Sequence, residues 1–126
     1  MTSTAELVKD WLASEGFRYQ IDDDGDVQFK FQGYGMWATV DKNDPLFLRI
    51  ILPNIYELNG DRGKVLEALN ALNAEIKAVK GYLVRENVWV SLEMYVDSSP
   101  EVEDFIERCL NILIAAGRKF HEELNK

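Results

Sequence analysis

Basic residues are scarce in this chain. Fourteen Lys and Arg stand against 22 Asp and Glu, leaving a net charge of −8. The acids are spread over both halves, 10 against 5 basic residues in positions 1–60 and 12 against 9 in positions 61–126, and no basic block interrupts them. Nucleic-acid binders draw most of their affinity from neutralising phosphates with Lys and Arg, so this balance argues against nucleic acid and against anionic membranes. A basic or hydrophobic protein partner is expected instead. Sulfur and imidazole are almost absent too, with one cysteine, Cys109, and one histidine, His121. A lone cysteine builds no internal disulfide framework, which suits the cytoplasm. The longest unbroken apolar run, Ile112–Ala116, is far short of the roughly 20 residues of a membrane span. "MTSTAELVKDW" has neither a basic region nor an apolar stretch, so no secretory signal is expected. Pro/Gly/Ser linkers and repeats are also missing, and one domain spanning 1–126 follows.

What is present is strong periodicity. Ser3 and Glu6 form a capping box ahead of Leu7, Val8, Trp11 and Leu12, predicting a helix over 4–15 that stops at Gly16. Strict alternation follows. Phe17, Tyr19, Ile21, Val27, Phe29 and Phe31 share one face, with Arg18, Gln20, Gln28 and Lys30 on the other. The acids of "YQIDDDGDVQFKF" suggest a calcium loop at first sight. With Gly25 at the sixth position of such a loop, however, Gln20 falls at the first and Phe31 at the last, where acids are needed. Asp24-Gly25 therefore reads as a hairpin turn. A third strand holds Met36, Ala38 and Val40 on one side and Trp37 and Thr39 on the other. Asp41–Pro45 is turn chemistry, and "LFLRIIL" gives a fourth strand ended by Pro53-Asn54.

From Asp61 to Lys80 the period becomes helical, with Val65, Leu69, Leu72, Ile76 and Val79 inward and Gly81 as the stop. "YLVRENVWVSLEMYV" predicts a second hairpin turning near Glu86-Asn87. Ser98, Ser99 and Pro100 open a long third helix. Its stripe is Val102, Phe105, Ile106, Cys109, Leu110, Leu113, Ala116 and Phe120. Glu101, Glu103, Asp104 and Glu107 near its start and Arg118 and Lys119 near its end suit the helix macrodipole. The predicted class is α+β, an antiparallel meander sheet with helices on one face, in the order α-β-β-β-β-α-β-β-α.

No catalytic set emerges. Cys109 and His121 are 12 positions apart on one helix, roughly 18 Å of rise, too far for a nucleophile and its base. Cys109 in the apolar stripe reads as a buried thiol and His121 as a solvated one. "HEEL" lacks the second histidine of a zinc helix, and one Cys with one His makes no zinc site without several carboxylates, which leaves a weak surface cation site at the acidic turn as the alternative to a plain turn there. "GYG" (Gly33–Gly35) joins two strands and reads as a turn or bulge. "NGDRGK" (Asn59–Lys64) lacks P-loop spacing and reads as a plain helix start. No cofactor is expected.

The second face of the strands is more informative. Opposite the inward sets lie Trp37, Phe47, Ile51, Trp89 and Tyr95, beside Thr39, Arg49, Ser91 and Glu93. A face meant only for water is mostly polar, so this one is a candidate protein interface, the alternatives being rings that are scattered or covered by a loop or the first helix, and a small-ligand pocket. "VLEALNALNAEIKAVKGYLVRENVWVSLEMYV" and the apolar closing helix resemble the YbjN-like domains, whose fold is similar to that of type III secretion chaperones. The "LNALN" run (Leu69, Asn70, Leu72, Asn73) and the hairpin after it carry the resemblance. The first half matches mainly in element order, with four predicted strands where the chaperones typically have three. The resemblance implies a compact domain, often dimeric, without known catalysis. Its relatives bind effector segments or are described as regulators. Asn70 and Asn73 also read as able to bridge neighbouring backbone. The combined expectation is a non-enzymatic, homodimeric protein-interaction domain. Its rivals are a small-molecule-binding domain or enzyme with a pocket between helices and sheet, and a plain structural subunit of a constitutive heteromer.

Overall fold

The computed structural model describes residues 3–96 and 105–126. Among them the chain forms α1 (Thr4–Ser14), β1 (Tyr19–Ile21), β2 (Val27–Phe31), β3 (Tyr34–Ala38), β4 (Phe47–Glu57), α2 (Arg62–Glu75), β5 (Val79–Val84), β6 (Asn87–Tyr95) and α3 (Ile106–Leu124). This is the α+β order expected from the sequence. The helix start assigned to Ser98, Ser99 and Pro100, with Glu101, Val102, Glu103 and Asp104, lies outside the described residues.

Ser3 caps α1, its hydroxyl oxygen accepting the Glu6 N–H at 3.2 Å. The strands form one antiparallel six-stranded sheet in the order β1-β2-β3-β4-β6-β5. In the first hairpin Tyr19 pairs with Phe29 and Ile21 with Val27. Gly25 takes a φ of 90°, and the Asp22 carboxylate accepts the N–H groups of Asp24 and Asp26, each at 3.0 Å. The acid-rich stretch is thus a hairpin whose first acid organises the turn.

The third strand ends at Ala38, short of the expected Thr39 and Val40, and two other expected boundaries differ more. The fourth strand does not end at Pro53-Asn54 but runs on to Glu57. The ladder to β3 is confined to Trp37–Ile51 and Ala38–Ile50, so Pro53 has no partner there that needs its missing N–H. Asn54 adopts a φ of 53° within a register shift between Leu52 and Tyr56, a bulge that carries the strand past the proline. The second helix ends at Glu75 rather than Lys80. Ala78 takes a φ of 62°, and Val79, Lys80 and Gly81 belong to β5. Val79 is inward as expected, but as a strand residue opposite Leu92.

The three helices pack on one side of the sheet. Val8 and Leu12 of α1, Leu69 and Leu72 of α2, and Leu110, Leu113 and Phe120 of α3 join Phe29, Met36, Leu48, Ile50, Val90 and Leu92 in a single core. Burial of each such side chain stabilises by about 1.5–3 kcal/mol, enough to hold the helices to this face. Lys119 of α3 also reaches Glu75 at the end of α2 (2.8 Å) and Glu123 one turn on (3.0 Å).

Candidate interaction face and its cavities

The helix-free side of the sheet gathers the five candidate interface residues. Strand register sets them in rows. Trp37 lies opposite Ile51, Ile51 opposite Ser91, and Phe47 opposite Tyr95. The rings touch in pairs, Trp37 with Trp89 edge-on at 5.4 Å between centroids and Phe47 with Tyr95 at 5.3 Å. Such contacts contribute about 0.5–1.5 kcal/mol beyond area burial. Ile51 is only 5% exposed yet stands apart from the main core, so this face has a small apolar centre of its own. Tyr95, at 74% exposure, is the most open of the five. The bulge contributes too, because the Trp89 indole N–H donates to the Asn54 side-chain oxygen at 3.0 Å.

Polar residues on this face are mostly engaged. Arg49 donates through Nε to the Thr39 hydroxyl at 3.2 Å. Glu93 accepts from the Ser91 hydroxyl at 2.6 Å and pairs with Lys80 at 3.1 Å. Toward β1 and β2 the face deepens into an open groove of about 940 Å³, lined among others by Arg18, Gln20, Gln28, Lys30, Trp37 and Pro53. The sequence held the signal for this groove, since those β1 and β2 residues alternate with the core set. Its shape was hidden because it depends on where the β3–β4 ladder stops.

Each chemical candidate has a defined place in the fold. Cys109 is buried on α3, and desolvation pushes its thiol up to about 11, against a small opposing effect of Arg108. It should react with a thiol reagent at pH 8 only as fast as the protein opens, and promptly in denaturant. Fast native labelling, measured by absorbance, would contradict this placement. His121 is exposed and lies edge-on to Phe120 and Tyr56. One oxygen each of Asp22, Asp24 and Asp26 lies within 4.8 Å of the others. Asp22 there accepts turn amides, and Asp26 accepts the Val40 N–H at 2.9 Å. In "GYG", Gly33 occupies the two-residue turn from β2 to β3, with φ of 52° at Gln32 and 83° at Gly33, the signs a tight hairpin turn requires. In "NGDRGK", Asp61 accepts hydrogen bonds from the Tyr56 hydroxyl and the Asn59 N–H. The Tyr56 bond is the larger influence holding Asp61 below the usual carboxylate range, and it tethers the end of β4 to the start of α2. A second cavity of about 370 Å³ lies between α3 and the β3–β4 edge, with Tyr34, Asn54, Ile114, Arg118 and His121 among its walls. No helix among the described residues is long and apolar enough to cross a membrane.

Asn73 bridges neighbouring backbone, as its sequence context suggested. Its amide accepts the Gly81 N–H at 2.7 Å and donates to the Gly81 carbonyl at 3.1 Å, covering the outer edge of β5 with α2. Asn70 is exposed.

The six-stranded antiparallel sheet with helices on one face places the chain in an α+β fold class that chains of solved chaperone complexes share. Within that class the chain belongs to the YbjN family, whose model, described as "Putative bacterial sensory transduction regulator", matches residues 4–125. Solved structures agree on the fold. The chain is similar to YbjN of E. coli, at a TM-score of 0.67 and 12% identity, covering 89% of this chain and 87% of that one. A chain of the HopA1–SchA chaperone–effector complex matches at a TM-score of 0.68 and 14% identity, over 93% and 91%. A chain from the Yersinia pestis complex of the type III secretion chaperone SycH with a fragment of YscM2 matches at 0.63 and 7%, over 92% and 98%. No curated protein sequence matches the chain.

Proposed function

We propose that this protein is a non-enzymatic protein-interaction domain, chaperone-like or regulatory, that works in the cytoplasm as a homodimer and docks through the helix-free face of its sheet. The observation that supports this most is the pairing of Trp37 with Trp89 beside the buried Ile51, on a face that no helix among the described residues covers. Central aromatic anchors of this kind carry most of the binding energy in protein interfaces. Membership of a family described as regulators and a fold shared with chains of chaperone complexes are compatible with it.

Introducing a buried carboxylate tests the reading. Trp37→Glu or Trp89→Glu should weaken self-association or partner capture by about 30-fold or more, the scale of an interface hot spot. Far-ultraviolet circular dichroism should stay native. Unchanged sedimentation together with unchanged capture in both variants would remove the assignment. The cavity beside α3 supports a second reading, a small-ligand-binding domain. Thermal-shift screening separates the two, since a ligand at about a hundred times its dissociation constant stabilises by about 2.7 kcal/mol.

A further inference from the structure

Beyond Arg49, Glu93 and Lys80, which are engaged near the middle of the helix-free face, charge concentrates at two of its corners. At one corner Arg18 and Lys30 line the groove, and neither forms an ion pair among the described residues. Asp22, the acid at the far end of β1, is already engaged by its turn amides and by the Gln28 side chain at 3.3 Å. At the opposite corner β4 begins at Phe47 beside Tyr95, directly after the Asp41–Pro45 turn. There Asp41 and Asp44 outnumber Lys42. The turn is pinned in place, with the Phe47 N–H donating to the Asp44 carbonyl and the Thr4 N–H to the Pro45 carbonyl, each at 3.0 Å. Asp44 also acts on the Tyr95 hydroxyl, raising its pKa. From the strand register the corners are roughly 20 Å apart. That exceeds the screening length of about 8 Å in physiological salt, so they do not neutralise one another within a monomer. The Trp37–Ile51 pair lies between them.

A face that is apolar at its centre, basic at one corner and acidic at the other is complementary to itself. We propose that two copies dock through this face about a two-fold axis lying between the sheets, so that the Asp41–Pro45 turn of each seats in the Arg18/Lys30 groove of the other. A two-fold interface presents the same patch twice, and the diagonal lets both corners be satisfied at once. Head-over-head stacking instead places like charges together, which is strongly disfavoured. This inference rests on the docking face proposed above and adds its occupant and orientation.

Charge exchange between two variants provides the test. One carries Arg18→Glu with Lys30→Glu, the other Asp41→Lys with Asp44→Lys, and both are checked for a native circular-dichroism spectrum. Because Asp41 also accepts the Asn43 N–H, a single Asp44→Lys variant is carried alongside. Each variant alone should self-associate at least tenfold more weakly than the parent in sedimentation equilibrium. An equimolar mixture of the two doubles should regain parental affinity as a heterodimer, and added salt should weaken the parental dimer. Failure of the mixture to associate, or reversal variants that dimerise like the parent, would overturn the orientation. If Trp37→Glu dissociates the dimer while the reversals do not, the face survives and the charge pairing falls. A parent that stays monomeric at every concentration overturns both.

Discussion

Phe120→Ala should cost about 3–5 kcal/mol of folding stability, the usual range for deleting a buried ring. Phe120 is fully buried at the junction of α3 with the sheet, 5.8 Å from the Tyr56 ring, and belongs to the core that unites all three helices. A domain of this size has about 5–15 kcal/mol in total, so the loss is a large share of it. With a urea dependence of about 2 kcal/mol per molar, the unfolding midpoint should fall by roughly 2 M. Glu122→Ala, two residues on and exposed, should stay within about 0.5 kcal/mol of the parent. Equal midpoints for Phe120→Ala and the parent would mean that α3 does not dock as described.

Gly81→Ala should destabilise by about 1–3 kcal/mol, although glycine in a strand is usually improved by a side chain. A Cβ at this position would stand 2.8 Å from Leu72 Cδ2 and 2.9 Å from Leu69 Cδ2. Both leucines are buried in the core, so they have little room to withdraw. Gly81 has no positive φ, which makes the cost one of crowding between α2 and β5 rather than of backbone strain. The restriction a new side chain places on the unfolded chain acts the other way, by about 0.4–1 kcal/mol, and crowding wins. Asn73→Ala is a useful companion, since it removes both hydrogen bonds to Gly81 and should cost about 1–2 kcal/mol. Calorimetry or urea titration reads both. A Gly81→Ala protein more stable than the parent would show that the helix does not press on the strand.

Gly81 and Pro53 mark the limits of local pattern. Gly81 at the end of a heptad-like run looked like a helix stop, whereas space, not termination, demands the glycine. The spacing from Val65 to Val79 kept its rhythm across an element boundary because a core-facing strand residue happened to fall in phase. Pro53 looked like a strand end for a sound local reason. It is tolerated because β3 releases β4 after Ile51, a fact of non-local pairing that no local pattern contains. The side of the sheet carrying Trp37, Phe47, Ile51, Trp89 and Tyr95 followed from period, since parity along a strand fixes its face, while the element order and the one-sided helices also drew on caps, turns and hairpin connectivity. The contact between Trp37 and Trp89, the sealing of Ile51 and the groove beside Arg18 and Lys30 required the cross-strand register. Net charge pointed to a basic or hydrophobic partner, but it averages over faces and so concealed the basic corner.

The docking face itself is tested most directly by its own indoles. Trp11 sits in the core against Phe17, at 5.6 Å between ring centroids, so Trp11→Phe leaves Trp37 and Trp89 as the fluorescent reporters. Acrylamide quenching of this variant is measured across a dilution series alongside sedimentation. Quenching should decline in step with the associated fraction as the two rings become covered. Association that proceeds while quenching stays constant would contradict the account, because the protein would then be pairing through some other surface.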